Sequence, residues 1–119
     1  MMTDQKVILA LVAELMVGVR IEEAAKGLAA SVKTGMVGGD IAEQILGVNA
    51  DLVVADLALE GLDLSVLVAA TRATRTPMIG FYPHVDAELR RKARAAGVEQ
   101  LYPRSRFLSE LPTILRGAL

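Results

Sequence analysis

The sequence has no cysteine and no tryptophan, and only two tyrosines, two phenylalanines and one histidine. The missing thiols exclude disulfides, thiolate metal sites and a cysteine nucleophile, and they fit a reducing compartment. With aromatics at 3% against an apolar fraction of 53%, the core has to be built from Val, Leu, Ile, Ala and Met, which suits helices laid on a parallel sheet. No large excess of either charge is present. The formal net charge of −1 argues against a general binder of nucleic acid or of anionic membrane, because those carry a basic surplus. No apolar run approaches the roughly 20 residues of a membrane span, and the opening Met1-Met2-Thr3-Asp4-Gln5 has neither the basic start nor the apolar stretch of a secretion signal. A cytoplasmic protein is expected, with neither nucleic acid nor membrane among its partners.

The 119 residues are enough for one core of two or three layers, and 1–119 is read as a single domain. Its organising stretch is Leu52-Val53-Val54-Ala55-Asp56, bounded behind by Asn49-Ala50-Asp51 and ahead by Glu60-Gly61. A short, β-branched apolar run between polar breaks is how a strand buried on both faces reads. It ends in a carboxylate. In open α/β sheets, ligands gather in the crevice outside the carboxyl ends of the strands, so Asp56 is the first candidate functional residue.

The other elements follow from period and punctuation. Residues 6–12 are a continuous apolar run, the first expected strand. Over 13–30 the period changes, with Val17, Ile21, Ala24 and Leu28 at helical spacing and Arg20, Glu22, Glu23 and Lys26 opposite them. Residues 31–36 are expected as a short strand near an edge, where Ser, Lys and Thr are tolerated. Asp40 caps a brief expected helix ending at Gly47, and a second helix runs from about Asp63 to before Pro77, with Leu64, Leu67 and Val68 inward. A strand at 78–82 stops at Pro83. A helix capped by Asp86 then turns Leu89, Ala93 and Ala96 inward and closes at Gly97, and a strand follows at 98–102. Leu108, Leu111, Leu115 and Ala118 line a final helix. Pro112 leaves its start open: after Ser109 the proline falls in a first turn that needs no amide donor, whereas a start at Ser105 would kink the helix at the proline. Five strands alternating with five helices predict an α/β fold, a doubly wound, flavodoxin-like parallel sheet in the order 2-1-3-4-5 with helices on both faces.

Over nearly its whole length this pattern resembles the receiver domain of bacterial response regulators. The strongest match is Leu52-Val53-Val54-Ala55-Asp56-Leu57-Ala58-Leu59-Glu60-Gly61-Leu62-Asp63, similar to the segment in which a strand-end aspartate accepts a phosphoryl group before a Gly-Met/Leu-Asp-Gly turn. Glu60 stands at the usual turn-former position and Leu64 at the second glycine. Pro77-Met78-Ile79-Gly80-Phe81-Tyr82 with His84, and Ala93-Arg94-Ala95-Ala96-Gly97-Val98, resemble the fourth receiver strand and the helix end before the fifth.

The resemblance implies less about chemistry. Phosphorylating an aspartate needs a divalent cation, which receivers hold with an acidic pair after the first strand, the acceptor aspartate and a backbone carbonyl. The matching positions here are Leu11 and Val12, leaving only Asp56 and the Ala58 carbonyl, with Glu14 two residues further on. Tyr82 matches the hydroxyl at the end of strand four. Arg104, followed by Ser105 rather than proline, matches the lysine of strand five; it keeps the charge but not the ammonium geometry. A pseudo-receiver is implied, with no cofactor unless Asp56 is phosphorylated, when Mg²⁺ would be required.

Each singled-out residue carries two readings. Asp56 is either the phosphoacceptor or a strand-end carboxylate pairing with Arg104 or bonding backbone amides, and the missing metal ligands favour the second. His84, in a loop over the same crevice, is either a proton or phosphate partner or a partly exposed polar residue. Gly35, Gly38 and Gly39 lack the Lys-Ser/Thr of a phosphate-binding loop and read as a flexible turn. Arg90, Arg91, Lys92 and Arg94 are the solvated face of a helix or, with Tyr102 and Arg106, an interaction surface. In receivers the face made by helix four, strand five and helix five commonly dimerises or docks partners. The expectation is a non-enzymatic, stand-alone signalling module acting through a protein partner or a second copy of itself. The alternatives are a phosphorylatable regulator in a two-component phosphorelay, and an anion sensor using the Asp56, Tyr82, His84 and Arg104 crevice.

Overall fold

The computed structural model describes residues 5–119, so the reading of the first four residues lies outside the described residues. The elements are β1 (Lys6–Leu11), α1 (Leu15–Lys26), β2 (Ala30–Thr34), α2 (Ile41–Val48), β3 (Leu52–Asp56), α3 (Leu64–Ala73), β4 (Met78–Tyr82), α4 (Ala87–Ala96), β5 (Gln100–Pro103), α5 (Arg104–Ser109) and α6 (Leu111–Ala118). All strand pairs are parallel and the order is β2-β1-β3-β4-β5, as the alternation of elements predicts. Among the described residues no helix is long and apolar enough to cross a membrane.

Strand periodicity divides the interior into two cores. In β3, Val53 and Ala55 face α2, α3 and α4, meeting Ile41, Ile45, Leu67, Val68 and Ala93. Leu52 and Val54 face α1, α5 and α6, meeting Val17, Ile21, Phe107 and Leu115. Phe81 of β4 stacks on Phe107 at 4.7 Å between ring centres. All four apolar residues of β3 are fully buried, so the strand has room for a polar side chain only at its end.

Several boundaries differ from the sequence expectation, each for a local reason. β1 stops at Leu11, and the first helix spans 15–26 rather than 13–30. Ala29 takes a left-handed φ of 54°, and Ala30 already pairs with Lys6 in the sheet. The second helix runs through Gly47 to Val48 and is closed by Asn49 at φ 52°, since asparagine tolerates the left-handed conformation nearly as well as glycine. β5 begins at Gln100 because the Gly97 and Val98 amides both return to the Ala93 carbonyl, finishing α4 before the strand starts.

Neither start expected for the last helix is the observed one, and among the described residues there are six helices rather than five. The helix begins directly at Arg104 and breaks at Glu110, whose φ of −111° and ψ of 19° separate α5 from α6. Pro112 falls in the first turn of α6, where no amide is needed. A continuous helix would have wanted a Pro112 N–H for the Leu108 carbonyl. Arg20 of α1 supplies that donor instead, its Nη2 lying 2.9 Å from the Leu108 oxygen.

Gly80 in β4 has to be glycine because a Cβ there would lie 2.8 Å from Leu57 Cδ1, and Leu57 is itself buried. Gly80→Ala is expected to lower stability by about 1–3 kcal/mol, read as a lower urea midpoint. Adding Leu57→Ala frees that space, so the double variant should be less destabilised than the sum of the two singles. Additive costs would show that Leu57 does not depend on the absent side chain.

Candidate functional site

Three charged residues converge at the carboxyl end of the sheet. Asp56 ends β3 and is half-buried, Glu14 precedes the first turn of α1, and Arg104 opens α5. Parallel pairing sets Leu11 beside Ala55 and Asp56 beside Phe81, so the loops after β1, β3 and β5 rise on one side of the sheet. The Arg104 guanidinium donates to the Glu14 carboxylate, joining the start of α1 to the start of α5. Asp56 instead accepts the Ala58 amide at 3.0 Å, a turn-type bond closed within its own loop. Of the two partners open to Asp56 in sequence, the backbone amide is the one that bonds it.

Electrostatics follow from this arrangement. Burial pushes the Asp56 carboxyl above its ordinary value of 3.8, and the nearby Glu14 carboxylate adds to the rise. The Ala58 amide and the Arg104 charge act in the opposite sense without reversing it. Arg104 is already committed to Glu14, so its field at Asp56 is partly cancelled.

The residues do not fit a Mg²⁺ ion. That ion demands near-octahedral oxygen coordination, and Leu11 lies wholly buried in the α2, α3 and α4 core. Val12 packs against the opposite core. Of the two carboxylates nearby, one is paired with a guanidinium, and among the described residues no group of three or more His, Cys, Asp or Glu is placed to hold a metal.

The other sequence candidates fall in different places. Tyr82 is buried in the α2, α3 and α4 core, and His84 is exposed in the loop after Pro83; neither is hydrogen-bonded to Asp56, Glu14 or Arg104. On the α4 side, Arg91 pairs with Glu88 and Arg94 bonds the Glu99 carbonyl at 3.1 Å. Arg106 lies over the Tyr102 ring at 5.3 Å and pairs with Glu110 at 3.2 Å. Arg90 is exposed and has no ion pair among the described residues.

The glycine-containing turn after β2 is held rather than loose. Gln44 accepts the Met36 amide at 2.7 Å and returns a donor to the Met36 carbonyl at 2.8 Å. The Gly35 and Gly39 amides bond the carbonyls of Ala10 and Met36, so these donors are not open to a phosphate. Nothing local in the sequence marks Gln44, or the bridge that Arg20 makes to Leu108.

Two consequences for Asp56 are measurable. Because its folded-state pKa is raised, the folded protein holds more protons than the unfolded chain just above pH 3.8, and stability falls as pH rises through that window. Asp56→Asn keeps an acceptor for the Ala58 amide and should raise the melting temperature at neutral pH, with the gain vanishing at pH values below the ordinary carboxylate range. Glu14→Gln removes one raising influence and frees Arg104. Carbonyl-detected NMR should then show Asp56 titrating lower than in the parent, and an unchanged titration would show that the ion pair does not act on Asp56.

No family model and no curated protein matches the sequence. Solved structures do match, with a shared architecture at low identity. A response regulator from Hahella chejuensis is 17% identical with a TM-score of 0.80, over 97% of this chain and 96% of that one. The chemotaxis response regulator CheY4 of Vibrio cholerae is 13% identical with a TM-score of 0.77, over 98% and 100%. A beryllofluoride-activated receiver domain is 16% identical with a TM-score of 0.72, over 97% of each chain. With the sheet order and strand-end aspartate already described, these likenesses establish that the chain has the fold of response-regulator receiver domains.

Proposed function

We propose that this chain is a signalling module of the response-regulator type that acts by contact with a protein partner or with a second copy of itself, and not through Mg²⁺-dependent phosphorylation of Asp56. One observation carries the reading: a buried leucine, Leu11, stands where the resemblance places a metal-binding carboxylate, and Arg104 is tied to Glu14. An aspartyl phosphate formed at Asp56 would meet the neighbouring Glu14 carboxylate with no cation to offset the repulsion. The same charge count disfavours an anion sensor at this crevice, where two carboxylates face one guanidinium. The contact surface is the face of α4, β5 and α5, where Arg90, Arg91 and Lys92 are exposed. Basic side chains of that kind recruit an acidic partner and mainly set its association rate. No turnover chemistry is assigned to the chain.

Backbone NMR titration with Mg²⁺, then with Mg²⁺ and beryllofluoride, is expected to leave Asp56, Ala58 and Tyr82 unshifted. Saturable, Mg²⁺-dependent shifts centred on those residues would overturn the proposal and restore phosphorylation.

The face is tested separately. Arg90→Glu with Arg91→Glu should abolish partner or self association measured by light scattering, while leaving the melting temperature close to that of the parent. Association that survives the double charge reversal would move the contact to another surface.

A further inference from the structure

At the end of the sheet away from Asp56, a cavity of about 460 Å³ opens between the carboxyl ends of α3 and α4 and the starts of β4 and β5. Its apolar wall is Val68, Pro77 and Met78, and Arg72, Arg75 and Gln100 supply polar groups. The three ion pairs among the described residues all lie elsewhere. Neither Arg72 nor Arg75 therefore has an acidic side chain in ion-pair range among those residues.

The Arg72 guanidinium lies over Gly97, and the Arg75 backbone is set by the end of α3. Gly97 closes α4 at φ 104°, and any Cβ there would collide with the Arg72 guanidinium. Arg72 therefore lies over bare backbone. Arg75 has a left-handed φ of 56°, a conformation that costs an ordinary residue free energy and persists only where its surroundings enforce it. They do so here: the Thr76 amide bonds the Thr71 carbonyl at 2.9 Å, and the Thr74 and Thr76 hydroxyls bond each other at 2.8 Å. The Thr71 hydroxyl is turned to the Val68 carbonyl at 3.0 Å. The strong donors left for a ligand are the two guanidinium groups and the Gln100 amide.

Arg72 and Arg75 are the two cationic side chains on the cavity's lining. The Glu99 carboxylate is the one acid on the cavity's lining. A volume in this range is that of a small-molecule site rather than of a bare ion. Two planar guanidinium forks match a phosphate monoester, which carries about −1.5 to −2 charges at neutral pH and accepts paired hydrogen bonds.

We propose that this cavity is a binding site for a small organic phosphate, with the phosphoryl group held between Arg72 and Arg75 and the organic body lying on Val68, Pro77 and Met78. The site is separate from the Asp56 crevice and does not depend on how that crevice is used.

The test is amide-detected NMR titration of the full chain with adenosine 5′-monophosphate, adenosine and inorganic phosphate in parallel. The nucleotide should give saturable shifts at Arg75, Thr76, Gly97 and Gln100, and adenosine none. Inorganic phosphate should bind the same amides more weakly. Arg72→Ala with Arg75→Ala should weaken nucleotide binding by about tenfold or more, the loss expected for hydrogen bonds to a charged group, whereas Arg90→Ala with Arg91→Ala should leave it unchanged. Arg72→Lys with Arg75→Lys keeps the charge and removes the fork, so it should also weaken binding while holding the fold, which serves if the alanine variant unfolds. No saturation by about 10 mM nucleotide, beyond any useful affinity, would overturn the proposal, as would equal binding to the alanine and parent proteins or shifts centred on Arg90 and Arg91. Equal affinity for phosphate and nucleotide would overturn the part assigned to the apolar wall.

Discussion

A parallel sheet covered on both faces assigns every residue of its central strands to one core or the other, and the rest of this protein follows from that constraint. Val53 and Ala55 go to one side of β3, Leu52 and Val54 to the other, and all are fully buried. A carboxylate in the middle of such a strand would lose its hydration with nothing to replace it. Asp56 is tolerated because it comes one residue after the buried run, where its own loop returns an amide to it. Even there, burial raises its pKa. The strand end is therefore at once the one place for chemistry and a place already unfavourable to charge.

Leu11 shows how the same constraint bears on function. It is wholly buried against the α2, α3 and α4 core, and a leucine so placed contributes about 1.5–3 kcal/mol relative to exposure. A carboxylate at that site would forfeit this contribution and add the cost of an ion short of water. By contrast, the Glu14 to Arg104 pair is substantially exposed on both sides, and exposed pairs add about 0–1 kcal/mol. Its consequence is positional and electrostatic: it joins the first turns of α1 and α5 and commits the guanidinium nearest to Asp56. The apolar residue bears on stability, and the ion pair adjusts the charge around Asp56, behind burial and the Ala58 amide.

What was legible in the sequence divides along the same line. The strands and the caps at Asp40 and Asp86 are local signals, and the strand order follows from the alternation of strands with helices. Asp40 and Asp86 each accept an amide at the start of the helix they were expected to cap, and Asp63, expected only near the start of its helix, accepts two. The position of Asp56 was equally plain, because a buried run has only one carboxyl end. Its surroundings were not. Glu14 and Arg104 lie 90 residues apart, and no local pattern states which of two carboxylates an arginine will choose. The break at Glu110 was hidden for a related reason. Pro112 marked a disturbance, but whether the helix kinks or divides depended on Arg20, 88 residues from the Leu108 carbonyl that it satisfies.

The two ends of the sheet differ electrically in a way that stability alone explains only in part. The carboxyl ends of α3 and α4 bring partial negative charge to the amino end of the sheet, and a cation in a last helical turn is stabilised there by about 0.3–1 kcal/mol. Arg72 and Arg94 sit in those last turns, so helix stability is a sufficient reason for their charge. Arg94 also has a backbone carbonyl to bond. Arg75 is a different case. It lies beyond the end of α3, the dipole effect falls away within the last turn, and its left-handed backbone is a conformation that glycine would adopt at no cost. That backbone is the cap of α3, the Arg75 and Thr76 amides returning to the Arg72 and Thr71 carbonyls, so what the helix leaves unexplained is the charge alone: a guanidinium past the last turn, at the edge of a cavity and without an acidic partner among the described residues, is accounted for by a ligand.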